Sequence, residues 1–466
     1  MRIAALLGAN VLMLLAGLGL VPLLGAARTW RELVERSGLA YLCGLVLAGI
    51  VAANLALVRL SFGWIGLGVL AVVSLAAAAW RLRGTARPAL PRLDWITIAG
   101  IAVVTATLVE YGRAFAVAPL NRYDAWAIWA LKGHALYAFG WADPAVFAGH
   151  EYRFANLDYP LWLPSLEAID FRAMGAFDTR VLHLQFLLFL VAALAALAAL
   201  LRDRVPAALM WPSLVAIALA PAVFDQLLTG YADVPLALVF AAGIAAAGRW
   251  LITSEPWSLA VATLLFAGAL LTKNEGSLFV AAALVGLLLV ALARWRAVVL
   301  AAAVAALVLL PWKIYVWIHD LHDINYSLTD TFDFDHIGGR LGVGPIAFRT
   351  LGGEMLDPLA WGLLEPLFAV LVVAALVTGL RALPLYALFW TIVSWLGLSW
   401  IYVITHFEYS SYLDSTKERV IASIVLGSAA LLPLLAAETL AEHRRGLRAS
   451  KVPPRSRLSS TGRLNA

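Results

Sequence analysis

Residues 181–201 read VLHLQFLLFLVAALAALAALL, with Arg180 before them and Arg202 after. The run contains no Asp, Glu, Lys or Arg. About 20 apolar residues in a helix cross the ~30 Å of hydrocarbon in a bilayer, so this stretch specifies a membrane-spanning helix. Barrel strands alternate apolar and polar residues, and this run does not. The same pattern recurs at 3–24, 38–57, 62–80, 95–112, 208–224, 233–250, 258–272, 277–293, 298–318, 359–380, 385–404 and 420–438. The sequence therefore predicts an all-α polytopic membrane protein of about thirteen transmembrane helices.

Composition agrees with that reading. Of 466 residues, 63% are hydrophobic and only 14% charged, and the mean hydropathy is +0.87. No soluble globular domain has this balance. The formal net charge of +5 comes from basic residues scattered beside the spans. That arrangement suits anionic lipid and excludes nucleic acid as a partner. Cys43 is the only cysteine, so an intramolecular disulfide and a cysteine-based metal site are both excluded.

Lys and Arg remain on the cytoplasmic side of a membrane. Arg81, Arg83, Arg87 and Arg92 cluster in one short connection, Arg202 and Arg204 in another, and Arg294 and Arg296 in a third. The segment 441–466, with Arg444, Arg445, Arg448, Lys451, Arg455, Arg457 and Arg463, reads as a basic cytoplasmic tail without fixed structure. The opposite, extracytoplasmic side then receives 113–180, 225–232, 272–276, 319–358 and 405–419. Those segments hold most of the unusual acids, His and Tyr. Residues 1–24 read as an uncleaved helix. Span parity places Met1 outside, against the hint from Arg2.

The loop 113–180 is too long for a simple connection, and loops of this size are usually functional. Asp124 follows Tyr123 and opens an amphipathic stretch, in which Ala125, Ile128, Trp129 and Leu136 fall near helical spacing. This predicts a helix lying along the membrane surface. A helix N-cap is the alternative role for Asp124, and Asp143-Pro144 is a cleaner cap. A second node is Asp158-Tyr159-Pro160-Leu161, and a third is Tyr231-Ala232-Asp233-Val234-Pro235-Leu236. There Asp233 either caps the next helix or acts at the edge of hydrocarbon, where an acid is costly unless paired or wetted. A fourth, Lys273-Asn274-Glu275-Gly276, packs polar residues into a tight turn between apolar helices. Its lysine suits an anionic phosphate, or it snorkels to water. The last runs from His406 to Lys417-Glu418-Arg419, with cations on the side where they are least expected.

The loop 319–358 carries His319, Asp320, His322, Asp323, Asp333, Asp335 and His336. Such spacing could hold a divalent cation, but a solvated loop explains it as well, and no metal ligand is assigned. The Walker phosphate loop, the His-Glu-x-x-His zinc motif and the Gly-x-Ser-x-Gly elbow are all missing. No pair of matching halves, as in many transporters, is evident.

In the order and spacing of these nodes, residues 95–440 resemble the GT-C superfamily of integral membrane glycosyltransferases. The nearest branch holds aminoarabinose transferases of lipid A and protein O-mannosyltransferases. Tyr123-Asp124 matches the acid after an aromatic residue in the first outer loop. Asp158-Tyr159-Pro160-Leu161 takes the place of a Pro-rich turn but lacks its Lys. Asp233-Val234-Pro235-Leu236 and Lys273-Asn274-Glu275-Gly276 match the later turns. The resemblance implies added N-terminal helices at 1–93 and a catalytic domain at 94–440 with interfacial helices in its long loop, and the high use of Ala, Leu and Arg suggests a GC-rich bacterial genome and so a bacterial inner membrane.

The implied activity moves a sugar from a polyprenyl-phosphate carrier to a lipid, glycan or protein acceptor. Asp124 would be the catalytic base, with Asp233 as orienting acid or partner in that role. Lys273, Lys417 and Arg419 would bind the donor phosphate, and Tyr123, Asp158, Tyr159, Glu275 and His406 the sugar or acceptor. No cofactor is required, and a divalent cation stays open. The alternatives are a transporter or flippase of a lipid-linked sugar, and a polysaccharide polymerase or ligase with a diphosphate-linked donor.

Overall fold

A computed structural model of the chain describes residues 1–85, 93–322, 324–326 and 328–450. Every regular element among them is a helix. Nine are long and apolar enough to cross a bilayer: Arg2–Leu23, Ser37–Leu57, Trp64–Leu82, Trp95–Val117, Thr179–Leu201, Asp233–Thr253, Leu292–Ile318, Ala382–Ile404 and Tyr409–Leu447. The chain is therefore a multi-pass membrane protein. The expected span 208–224 is instead a broken pair, Ala207–Leu219 and Pro221–Thr229, bent by 48°. Pro221 causes the break, since it has no N–H to donate and keeps the preceding residue out of helical geometry. Pro256–Leu270, Glu275–Val290 and Leu364–Val377 are helical where spans were expected, but each has fewer than the ~17 residues a straight crossing needs.

Asp233–Thr253 is the axis of the bundle. It is apolar on all sides, and 89% of its apolar window is buried, as expected of a helix surrounded by others. Gly243 allows the close approach: a Cβ there would lie 2.7 Å from the Phe266 ring. Small residues at such contacts compensate for the weak hydrophobic drive between helices in lipid.

The N-terminal helices are packed into this bundle. Backbones of Arg2–Leu23 and Ser37–Leu57 touch at Gly17 and Gly44. Trp162 Nε1 donates to the Val46 carbonyl at 3.3 Å, and Asn10 Nδ2 to Gln185 Oε1 at 2.7 Å. Arg2 pairs with Asp178 at 2.8 Å, at the start of Thr179–Leu201. Met1 thus sits at the same end of the bundle as the loop 113–180, with Arg2 neutralised by the Asp178 carboxylate.

At the opposite end Arg249 is almost fully buried and bonds Asp203, Glu255 at 2.8 Å and the Leu200 carbonyl at 2.9 Å. The last helix continues to Ser450, so the first part of the expected tail is ordered, with Arg445 paired to Glu442 at 2.6 Å. Arg87, Arg92, Asp323 and the tail residues Lys451, Arg455, Arg457 and Arg463 lie outside the described residues.

Candidate functional site

The helix Trp95–Val117 runs five residues past its expected end, and Glu110 pairs with Arg113 at 2.8 Å on its surface. The loop that follows is built from short helices at Ala125–Ala130, Leu131–Phe139, Pro144–Phe147, His150–Ala155 and Trp162–Met174. Ala125, Ile128, Trp129 and Leu136 are buried, as their spacing predicts. Lys132 shares their face and is fully buried as well, its Nζ donating to the Asn156 carbonyl at 2.5 Å. The Asp143 side chain caps the Pro144–Phe147 turn through the Ala145 N–H at 2.9 Å.

Asp124 does not cap. Its side chain turns away from the π-helical turn Ala125–Ala130 and pairs with Arg419, which is 295 positions away in sequence. Single π turns are frequent at functional sites. The Arg419 guanidinium lies over the Tyr231 ring at 4.8 Å. Asp233 does not cap either. Its Oδ1 accepts from Lys273 Nζ at 2.8 Å, and Glu275 Oε1 lies 3.2 Å from the same nitrogen. The Lys273 ammonium also lies 5.9 Å from the Tyr159 ring, which stacks on Trp129 at 5.6 Å. Burial works against the Lys273 charge, but the Asp233 and Glu275 carboxylates outweigh it and hold the ammonium above its ordinary pKa.

These groups meet in one cavity of ≈ 300 Å³, walled by Tyr123, Asp124, Tyr159, Asp233, Lys273, Glu275 and Arg419, with Phe154, Ile324 and Phe407 adding apolar surface. Three carboxylates face two cations, so the resting cavity is not an electropositive pocket. A polar cleft of ≈ 610 Å³ adjoins it, lined by Asn121, Arg122, Asp225, Tyr231, Asp414 and Glu418. Ser415 and Arg419 belong to both linings. Arg419 therefore stands in the wall between two compartments.

Three expected site residues lie elsewhere. Lys417 is absent from the cavity lining and pairs with Asp414 at 3.3 Å. Successive helical residues turn by 100°, so Lys417 points away from the face that carries Tyr412, Ser415, Thr416 and Arg419. His406 is half-exposed and contacts Asp330 at 3.0 Å. Asp158 is a buried bracket: its side chain accepts from Asn274 Nδ2 and its carbonyl from Trp312 Nε1 at 3.1 Å. Burial pushes its carboxyl above the ordinary range, against the pull of Lys132 and the Asn274 amide.

Among the described residues no three His, Cys, Asp or Glu side chains converge as a metal site. His322 and Asp320 touch at 3.0 Å but are both exposed. Lys132, Asn274 and Tyr231 were missed by sequence reasoning as working residues. A signal existed for Lys132, which falls on the buried face set by Ala125, Trp129 and Leu136. The other two lie inside nodes that the sequence singled out, but nothing local distinguishes them from their charged neighbours Asp233, Lys273 and Glu275.

No protein-family model matches the chain, and no curated protein or solved structure matches it significantly.

Proposed function

We propose that this protein is a membrane glycosyltransferase of the GT-C type, using a polyprenyl-phosphate-linked sugar. One observation carries the reading: carboxylates and cations from four separate chain segments close on a single cavity at one end of a membrane bundle. A transferase needs two substrates side by side, and two compartments share Arg419. The opposite end carries Arg202, Arg204, Arg294 and Arg296, and the positive-inside rule makes that end cytoplasmic. The cavity then faces the periplasm or exterior.

In this mechanism the acceptor hydroxyl or amine attacks the anomeric carbon. The bond from that carbon to the phosphate oxygen breaks, its electron pair stays on the phosphate, and the acceptor proton passes to the Asp124 carboxylate. Displacement from one side inverts the anomeric centre. Lys273 and Arg419 stabilise the charge that grows on the leaving phosphate. In the resting cavity Asp124 Oδ2 is held by Arg419. An arriving phosphate competes for that guanidinium and frees the carboxylate, so the base is released only when the donor is in place. Asp233 and Glu275 fix the position of Lys273.

The test uses the purified chain in liposomes with a polyprenyl-phosphate sugar and lipid or peptide acceptors. The expected result is release of free polyprenyl phosphate, reduced about 10²-fold or more by Asp124→Asn. A transporter of a lipid-linked sugar is the second reading. Movement of the sugar across vesicles with no new glycosidic bond would establish that reading and end the first.

A further inference from the structure

At the end of the bundle opposite the candidate site, an apolar groove of ≈ 970 Å³ opens between Pro256–Leu270 and Leu292–Ile318, with Ser37–Leu57 as its floor. Ala260 and Leu264 form one wall, Ala297, Val304 and Val308 the other, and Leu47 lies beneath. The small side chains of Ala260 and Ala297 leave the space. From Trp295 to Val308 the groove runs about 20 Å at 1.5 Å per residue, more than one leaflet's share of a ~30 Å hydrocarbon core. It is therefore long enough for an extended acyl chain.

Its mouth carries charge as well as indole rings. Trp250, Trp295, Arg294 and Arg296 surround it. The Arg294 guanidinium lies over Trp250 at 4.2 Å and donates to Ser254 Oγ at 2.6 Å. Arg296 is exposed and lies 5.7 Å from its neighbour's ring. Neither arginine has a carboxylate partner among the described residues, whereas nearby Arg36, Arg204 and Arg249 are all paired with Asp203 or Glu255. Basic clusters between helices at this depth bind anionic lipid head groups.

We infer that the groove is a binding site for one anionic phospholipid, with an acyl chain between the two helices and the head-group phosphate against Arg294 and Arg296. The site is separate from the transferase cavity and stands whether or not that activity does. Arg294 also braces the end of Asp233–Thr253, so Arg296 is the cleaner probe. One arginine near the surface is worth about 1 kcal/mol of attraction to anionic lipid, about fivefold in affinity.

The full chain is taken from vesicles of mixed phosphatidylglycerol and phosphatidylcholine into mild detergent, and retained lipid is counted by native mass spectrometry. Preferential retention of phosphatidylglycerol is expected. Arg296→Gln should cut that preference about fivefold, and Ala260→Phe should remove the retained lipid whatever its head group. Equal retention of both lipids by the unaltered chain would overturn the inference. So would an undiminished preference in Arg296→Gln, or displacement of phosphatidylglycerol by added polyprenyl phosphate.

Discussion

Asp124 and Asp233 stand at the starts of helices, and each forgoes the cap for a cation brought from elsewhere in the chain. This difference separates two kinds of consequence. Asp233 is buried with Lys273, and removing it leaves the buried ammonium with Glu275 as its remaining carboxylate. Asp233→Ala is expected to cost about 3 kcal/mol, the low end for a broken buried pair, read as a lower unfolding temperature in detergent. Asp124→Asn keeps an oxygen for Arg419 and should melt close to the unaltered protein while losing transfer. Glu167 and Asp170 give a second residue-scale prediction. Burial pushes both carboxyls well above the ordinary range, and for Glu167 the neighbouring Asp170 adds to it. The folded chain therefore keeps protons that the unfolded chain releases above pH ~4. Stability falls as pH rises from there through the raised folded values. Glu167→Gln removes the Glu167 share of that dependence, so its unfolding temperature should gain on the unaltered protein between pH 5 and pH 9. Parallel curves would contradict it. At this scale the sequence marked Asp124, Asp233, Lys273 and Arg419 as out of place, because charge at a membrane edge needs a reason. Their pairing was not legible, since nothing local couples positions so far apart.

Two elements do the positioning. The helix Tyr409–Val420 presents Tyr412, Ser415, Thr416 and Arg419 on one face, which is helical periodicity applied to polar residues. Lys417 is off that face, so Lys417→Gln should leave transfer within about twofold. Arg419→Gln should lower it about 10²-fold, the scale of one lost electrostatic donor. Initial rates of polyprenyl phosphate release separate the two. The second element is the 271–275 turn. Leu271 accepts from the Trp162 N–H at 2.9 Å, and Asn274 holds Asp158. The turn thus ties the outer loop to the bundle as well as aiming Lys273. Asn274→Ala leaves Asp158 buried with too few donors, at about 1–3 kcal/mol. Limited proteolysis should then cut faster within 148–158. Sequence reading found this turn from its charges but gave Asp158 to the substrate, because a buried bracket and a binding acid look alike without coordinates.

For the whole molecule, the apolar runs placed most of the long helices to within a few residues, because the thickness of a bilayer sets their length, while the last helix runs on past its expected end at 438 to Ser450. They did not show which would fall short or break. Three helices end early, and Pro221 bends a fourth into two pieces. The N-terminal helices pack against the rest through the Arg2–Asp178 and Asn10–Gln185 contacts, and only packing could show this. On the proposed function, a lipid phosphate is handled where Asp124, Asp233, Lys273 and Arg419 converge. The most direct measurement is a density map of the chain with polyprenyl phosphate bound. The phosphate is expected in the ≈ 300 Å³ cavity, ~2.7–2.9 Å from nitrogens of Arg419 and Lys273, with Asp124 released from its pair. Phosphate density at Arg294 and Arg296 instead, with the Asp124–Arg419 pair undisturbed, would contradict it.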